Sequence, residues 1–177
     1  MFYESRYPKN ELMNLAKEME KFSGRYLCYS NWNYQLERNV FIGFYFIRKL
    51  IESRYKITDD LRGLNIEVKS FKFIGKKKLM LPIGSNAEYD FESPNIENLD
   101  IKEITHQFVH SQLFFGIKEG RGLKYICVAS DRKIYERIYQ IDIGDIIKIF
   151  RLFGENEVTS TRSQYDISTG KIIINNG

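Results

Sequence analysis

Apolar residues recur every three or four positions at Leu12, Leu15, Ala16, Met19, Phe22, Tyr26 and Leu27, the spacing of one helix face. Pro8 or Asn10 suits the start of this helix, because proline fits a first turn and asparagine caps free amides. Gly24 weakens the helix by ~1 kcal/mol relative to alanine and allows a bend. A second helix is predicted over about residues 35–55. Its wide apolar face holds Val40, Phe41, Phe44, Ile47, Leu50 and Ile51, which places it at the centre of the core. Glu37, Arg38, Tyr45, Arg48 and Glu52 fall on its adjoining faces. Asp59, Asp60 and Gly63 then mark a turn.

The period next drops to two. Ile66, Val68, Phe71 and Phe73 are interleaved with Glu67, Lys69 and Lys72, a strand pattern. Gly75 with Lys76, Lys77 and Lys78 would form a hairpin tip, and residues 79–83 a return strand kept at an edge by Pro82. Residues 84–99 have the punctuation of a loop. A third helix is expected after Asn98 or Asp100, with Ile101, Ile104, Phe108 and Phe115 inward and Gly116, Gly120 and Gly122 ending it. Residues 123–130 and 134–141 follow as strands. Asp142 would cap a fourth helix carrying Ile143, Ile146, Ile147, Phe150 and Phe153, stopped by Gly154. The pattern predicts an α+β fold: about four helices, the first two long and antiparallel, packed with a small antiparallel sheet. Residues 1–154 form one domain in this reading. Residues 155–177 form a polar tail with a hairpin turning at Ser168, Thr169 and Gly170.

Length agrees with one domain, since 177 residues fall within ~100–200 per domain. Lys plus Arg is 27 and Asp plus Glu is 23, a net charge of +4. That is mildly basic and lacks the clustered excess of a dedicated nucleic-acid binder. The dense basic run, Lys72 with Lys76, Lys77 and Lys78, is either a solvated tip or a phosphate contact. Cys28 and Cys127 sit among apolar neighbours, which points to buried reduced thiols rather than a disulfide framework. No run reaches the ~18 apolar residues of a spanning helix, and the N-terminus lacks a secretory pattern, so a cytoplasmic chain without a membrane role is expected.

The candidate chemistry rests on His106 and His110, the only two histidines, four residues apart. On a helix they share one face with Glu103 and Gln107 nearby. The segment has the spacing of a zinc-protease helix, but Gln107 stands where the general base must be a carboxylate, and no third histidine completes a site. No metal and no cofactor are therefore expected. Two readings remain. The histidines either hydrogen-bond quietly at a helix interface or shuttle protons near neutral pH. The second needs a cation, for which Arg48 or Arg38 on the second helix would serve. In that case a polar pocket of Glu37, Arg38, Tyr45 and Arg48 would face the histidines. The plain alternative is a solvated face with pairs such as Arg48–Glu52. No phosphate-binding loop, nucleophile elbow or paired-cysteine motif occurs.

The helical segments over about residues 9–56 and 98–154, with Arg48–Glu52 on the second helix and His110 on the third, resemble the HEPN class. That class is a bacterial helical-bundle group of toxin–antitoxin and phage-defence systems. The resemblance implies a helical core with the intervening strands inserted. Its RNA-cleaving members carry Arg, a polar residue, several variable residues and His. His110 matches that His, whereas Thr105 and His106 stand at the Arg and its neighbour, so the Arg is absent. The same regions are similar to a group of small bacterial proteins that implies no activity. The functional expectation is a non-catalytic or regulatory binding module for a protein or nucleic-acid partner, or for a second copy of itself, in a bacterial defence setting. One alternative is a metal-independent ribonuclease using His110, His106 and Arg48 or Arg38. Another is a small-ligand pocket between helices and sheet.

Overall fold

The computed structural model describes residues 4–24, 31–53, 55–75, 89–166 and 171–177. Its elements run α1 (Arg6–Gly24), α2 (Trp32–Glu52), α3 (Asp59–Arg62), β1 (Asn65–Lys72), β2 (Asn95–Asp100), α4 (Ile101–Val109), β3 (Ser111–Glu119), β4 (Gly122–Ser130), β5 (Arg137–Asp142), α5 (Ile143–Glu155), β6 (Thr161–Asp166) and β7 (Lys171–Asn176). The first five strands form one antiparallel sheet in the order β2-β1-β5-β4-β3, and β6 pairs with β7 separately. This is the expected α+β architecture.

The apolar stripes decide the layering. Leu12, Leu15, Ala16, Met19 and Phe22 of α1 are buried with Val40, Phe44, Ile47 and Leu50 of α2 and with Ile146, Phe150 and Phe153 of α5. They meet one face of the sheet through Val68, Ile126, Val128 and Ile141. Strand residues alternate faces, so Cys127 and Ala129 point the other way, into a second apolar cluster with Phe71, Tyr89, Ile134 and Ile138. Burial pushes the Cys127 thiol up to about 12, which keeps it neutral and unreactive. Cys28, Tyr26, Leu27, Lys76, Lys77, Lys78 and the return strand expected at 79–83 lie outside the described residues.

Several boundaries differ from expectation. Residues 95–100 are strand β2, not loop, in register with β1 from Ser70↔Asn95 to Asn65↔Asp100. The strand is polar and edge-placed, and its Ile96 is 57% exposed, so no apolar alternation marks it. Asp59 and Asp60 open a short helix rather than a simple turn. The third long helix, α4, begins where Asp100 caps it by accepting from the Glu103 amide at 2.7 Å. It stops at Val109, and Phe115 belongs to β3. The glycines expected to end that helix instead shape the β3–β4 hairpin, where Gly120 takes the left-handed φ of 62°. The strand expected at 134–141 starts at Arg137, with Ile134 buried in the preceding turn. Asp142 caps α5 as anticipated, accepting from the Gly144 amide at 2.7 Å. The tail is a hairpin tied to the domain. The Asn176 amide donates to Asp59 Oδ2 at 2.9 Å, and its side chain donates to the Ile57 carbonyl at 3.2 Å. Residues 167–170, the expected turn, lie outside the described residues. Among the described residues no helix is long and apolar enough to cross a membrane.

One glycine makes the α2–α5 contact testable. A Cβ added to Gly43 would lie 2.1 Å from Phe150 Cζ. That ring is fully buried and meets Phe44 edge-on at 5.4 Å, so it has little room to retreat. Gly43→Ala is expected to cost about 1–3 kcal/mol by overpacking. Chemical denaturation measures this, and Phe150→Leu in the same chain should return part of the loss. A neutral Gly43→Ala would show that the ring moves freely.

Candidate functional site

Helix α2 buries Val40, Phe44, Ile47 and Leu50, which leaves Arg48, Lys49 and Glu52 on its partly exposed side near its C-terminal end. Helix α4 buries Ile101, Ile104, Thr105, Gln107 and Phe108. The two helices are locked by Phe44 and Phe108, stacked at 4.1 Å with 10° between ring planes. That stack sets the end of α2 against α4 and forms a cleft of about 380 Å³ lined by Arg48, Ile51, Glu52, Lys102, Thr105 and His106.

The helix ends at the second histidine. His110 is the C-cap of α4, its amide donating to the His106 carbonyl at 3.1 Å. Its own carbonyl accepts from the Asp131 amide at 3.1 Å. This fixes the His110 backbone while its side chain stays exposed. The two imidazoles lie 4.8 Å apart between centroids, tilted by 40°. Arg48 Nη1 sits 3.0 Å from His110 Nε2. A guanidinium only donates, so Nε2 is the acceptor in this contact. The same guanidinium donates through Nε to Glu52 Oε1 at 2.9 Å, and Lys49 Nζ donates to Glu52 Oε2 at 2.8 Å. Those two bonds hold the Glu52 carboxyl below its ordinary range, so it stays ionised and orients Arg48. His106 is half-buried, and its Nδ1 is buried without a hydrogen-bond partner.

The structure thus brings His106, His110 and Arg48 together. It does not bring Arg38, whose Nη2 and Nε bond Asn39 Oδ1 at 3.1 and 3.3 Å. Ten residues before Arg48 on one helix, Arg38 lies ~15 Å away along the axis. Glu37 is exposed in the same early part of α2. Tyr45 is exposed and faces the Lys49 ammonium at 5.7 Å. These residues therefore do not close a single polar pocket around the histidines. Gln107 is buried and structural: its amide donates to Glu103 at 2.6 Å and its oxygen accepts from the Ser130 amide at 2.9 Å. Lys72 is exposed at the end of β1, lining a separate groove with Tyr135 and Arg137. Lys102 was not singled out by sequence reasoning. Its place one turn before His106, after a capped helix start, was the signal available.

The cleft carries Arg48, Lys102 and His106 against one carboxylate, Glu52. Arginine presents a fork of donors suited to phosphate, and lysine adds a mobile charge. Among the described residues no group of three or more His, Cys, Asp or Glu could hold a metal ion. A larger hollow of about 580 Å³ opens on the opposite face of the sheet, between Ile74, Tyr89, Phe91, Phe115 and Ile117. It offers Asp90 and Glu92 but no cation or imidazole. No protein-family model matches the chain, and neither a curated protein nor a solved structure shows a significant match.

Proposed function

We propose that this domain is a non-catalytic or regulatory binding module that takes a phosphate-bearing partner in the cleft between α2 and α4. The observation that carries this is the Arg48–His110 hydrogen bond at 3.0 Å with His106 one helical turn away. Glu52 preorganises the guanidinium, Lys102 adds charge and Ile51 supplies an apolar wall. A group held before the ligand arrives loses less freedom on binding.

A second reading is a metal-independent, HEPN-like ribonuclease. It is supported by the grouping of two imidazoles and a guanidinium, His106, His110 and Arg48, within one site. His110 would remove the 2′-hydroxyl proton, His106 would return one to the leaving 5′-oxygen, and Arg48 would stabilise the phosphorane. A labelled single-stranded RNA separates the two. The binding module binds it without cleavage, and His110→Ala weakens the binding. The ribonuclease yields 2′,3′-cyclic phosphate ends that His110→Ala abolishes. Equal binding by wild type and His110→Ala, without cleavage by either, contradicts both.

A further inference from the structure

The outward side of α2 sets exposed tyrosines among its charged residues. Opposite the buried stripe, Tyr34, Arg38, Tyr45, Arg48 and Glu52 recur on one outward line, while Phe41 beside them packs edge-on against Phe114 of β3 at 5.7 Å. Tyr34 is 65% exposed and Tyr45 46% exposed. Tyrosine and arginine are enriched among the side chains that carry energy at protein interfaces.

The line is also symmetric in its chemistry. Arg38 and Glu52 lie equally far from Tyr45, seven residues to either side, or ~10 Å along the axis. A second copy laid antiparallel on this face, with the two Tyr45 rings at the axis, places each Arg38 against a Glu52. A two-fold contact must be self-complementary, each patch meeting its own copy, and the two symmetry-related Arg38–Glu52 pairs meet that condition. Among the described residues the Arg38 guanidinium bonds only its neighbour Asn39. Glu52 accepts one bond on each oxygen, which leaves lone pairs for a further donor.

We propose that α2 forms a two-fold interface between copies of this chain and that the second copy's Arg38 completes the phosphate cleft. The second half rests on the cleft reading above. Glu52 lines the cleft, so an Arg38 docked on it arrives at the cleft mouth. It supplies the cation that the same chain holds ~15 Å away.

Sedimentation velocity on paired charge reversals tests this. Wild type is expected to dimerise at micromolar concentration. Arg38→Glu and Glu52→Arg should each weaken the dimer at least about tenfold, because like charges then face each other at both ends. An equimolar mixture of the two should dimerise again, since every Glu then faces an Arg, and restored assembly also shows that both variants are folded. A monomeric wild type overturns the interface. So does a dimer that Arg38→Glu leaves intact, which would place the contact on another face. So does a monomer whose Tyr34→Ala variant loses affinity for single-stranded RNA, which would make the stripe a nucleic-acid track. Inorganic phosphate added to each sample reads the cleft separately. Dimerisation without a histidine response to phosphate removes the cleft reading and keeps the interface. A phosphate response in a monomeric wild type does the reverse.

Discussion

Phe108→Ala is expected to cost about 3–5 kcal/mol of stability, the range for removing a fully buried phenyl ring. Phe108 is fully buried and stacks on Phe44 at 4.1 Å, and Phe44 in turn meets Phe150 edge-on at 5.4 Å. Three helices, α2, α4 and α5, thus share one aromatic contact. At ~2–4 °C per kcal/mol for a domain of this size, the melting temperature should fall by roughly 6–20 °C. The loss should also reach the site, because the stack is what holds Arg48 beside His110. Phe108→Leu fills most of the space and should lose less. A loss below ~1 kcal/mol for Phe108→Ala would mean that this interface is not packed to interior density.

Arg48→Ala should leave stability almost unchanged and weaken phosphate binding by about 10- to 100-fold, the worth of a hydrogen bond to a charged group. The small stability effect follows from exposure: the Arg48–Glu52 pair is an accessible i,i+4 bridge, worth only ~0.3–0.5 kcal/mol. Arg48→Lys keeps the charge but not the fork and should recover only part of the affinity. The pH response has a defined sign. The Glu52 carboxyl is lowered first by Lys49 and then by Arg48, so its stabilising contribution is present above its unfolded value. That contribution is lost as pH falls through the folded value. Removing Arg48 moves the loss to higher pH, which denaturation across the acid range measures, while isothermal titration with phosphate at fixed pH measures the affinity. Full affinity in Arg48→Ala would place the anion elsewhere.

The helices that bury one face were legible, because α1, α2 and α5 write their stripes at helical spacing. Caps were legible where a short acidic side chain precedes the stripe, at Asp100 and Asp142. The end of α4 was not. Phe115 continues the spacing of Ile101, Ile104 and Phe108, and periodicity alone cannot show that the chain has already turned at His110 into β3. Strand β2 was hidden because it is held by pairing with β1 at a sheet edge and buries little of its own surface. The histidine pair was found from its spacing, although only His106 is helical and His110 is the cap. Arg48 was found from its charge on a largely apolar helix. Arg38 carried the same signal ten residues earlier, and sequence could not tell which of the two reaches the histidines. Gln107 read as a polar neighbour on the histidine face, whereas burial turns it into a tie between α4 and β4.

If His106, His110 and Arg48 form one anion site, the scarcity of histidine makes it directly measurable. With only two imidazoles in the chain, their NMR signals are assigned by His106→Ala and His110→Ala alone. Titration with inorganic phosphate should move both signals together and saturably in the wild type. In Arg48→Ala the response should weaken by at least about tenfold. Signals that stay fixed, or that move only in proportion to ionic strength and equally in Arg48→Ala, would contradict the account.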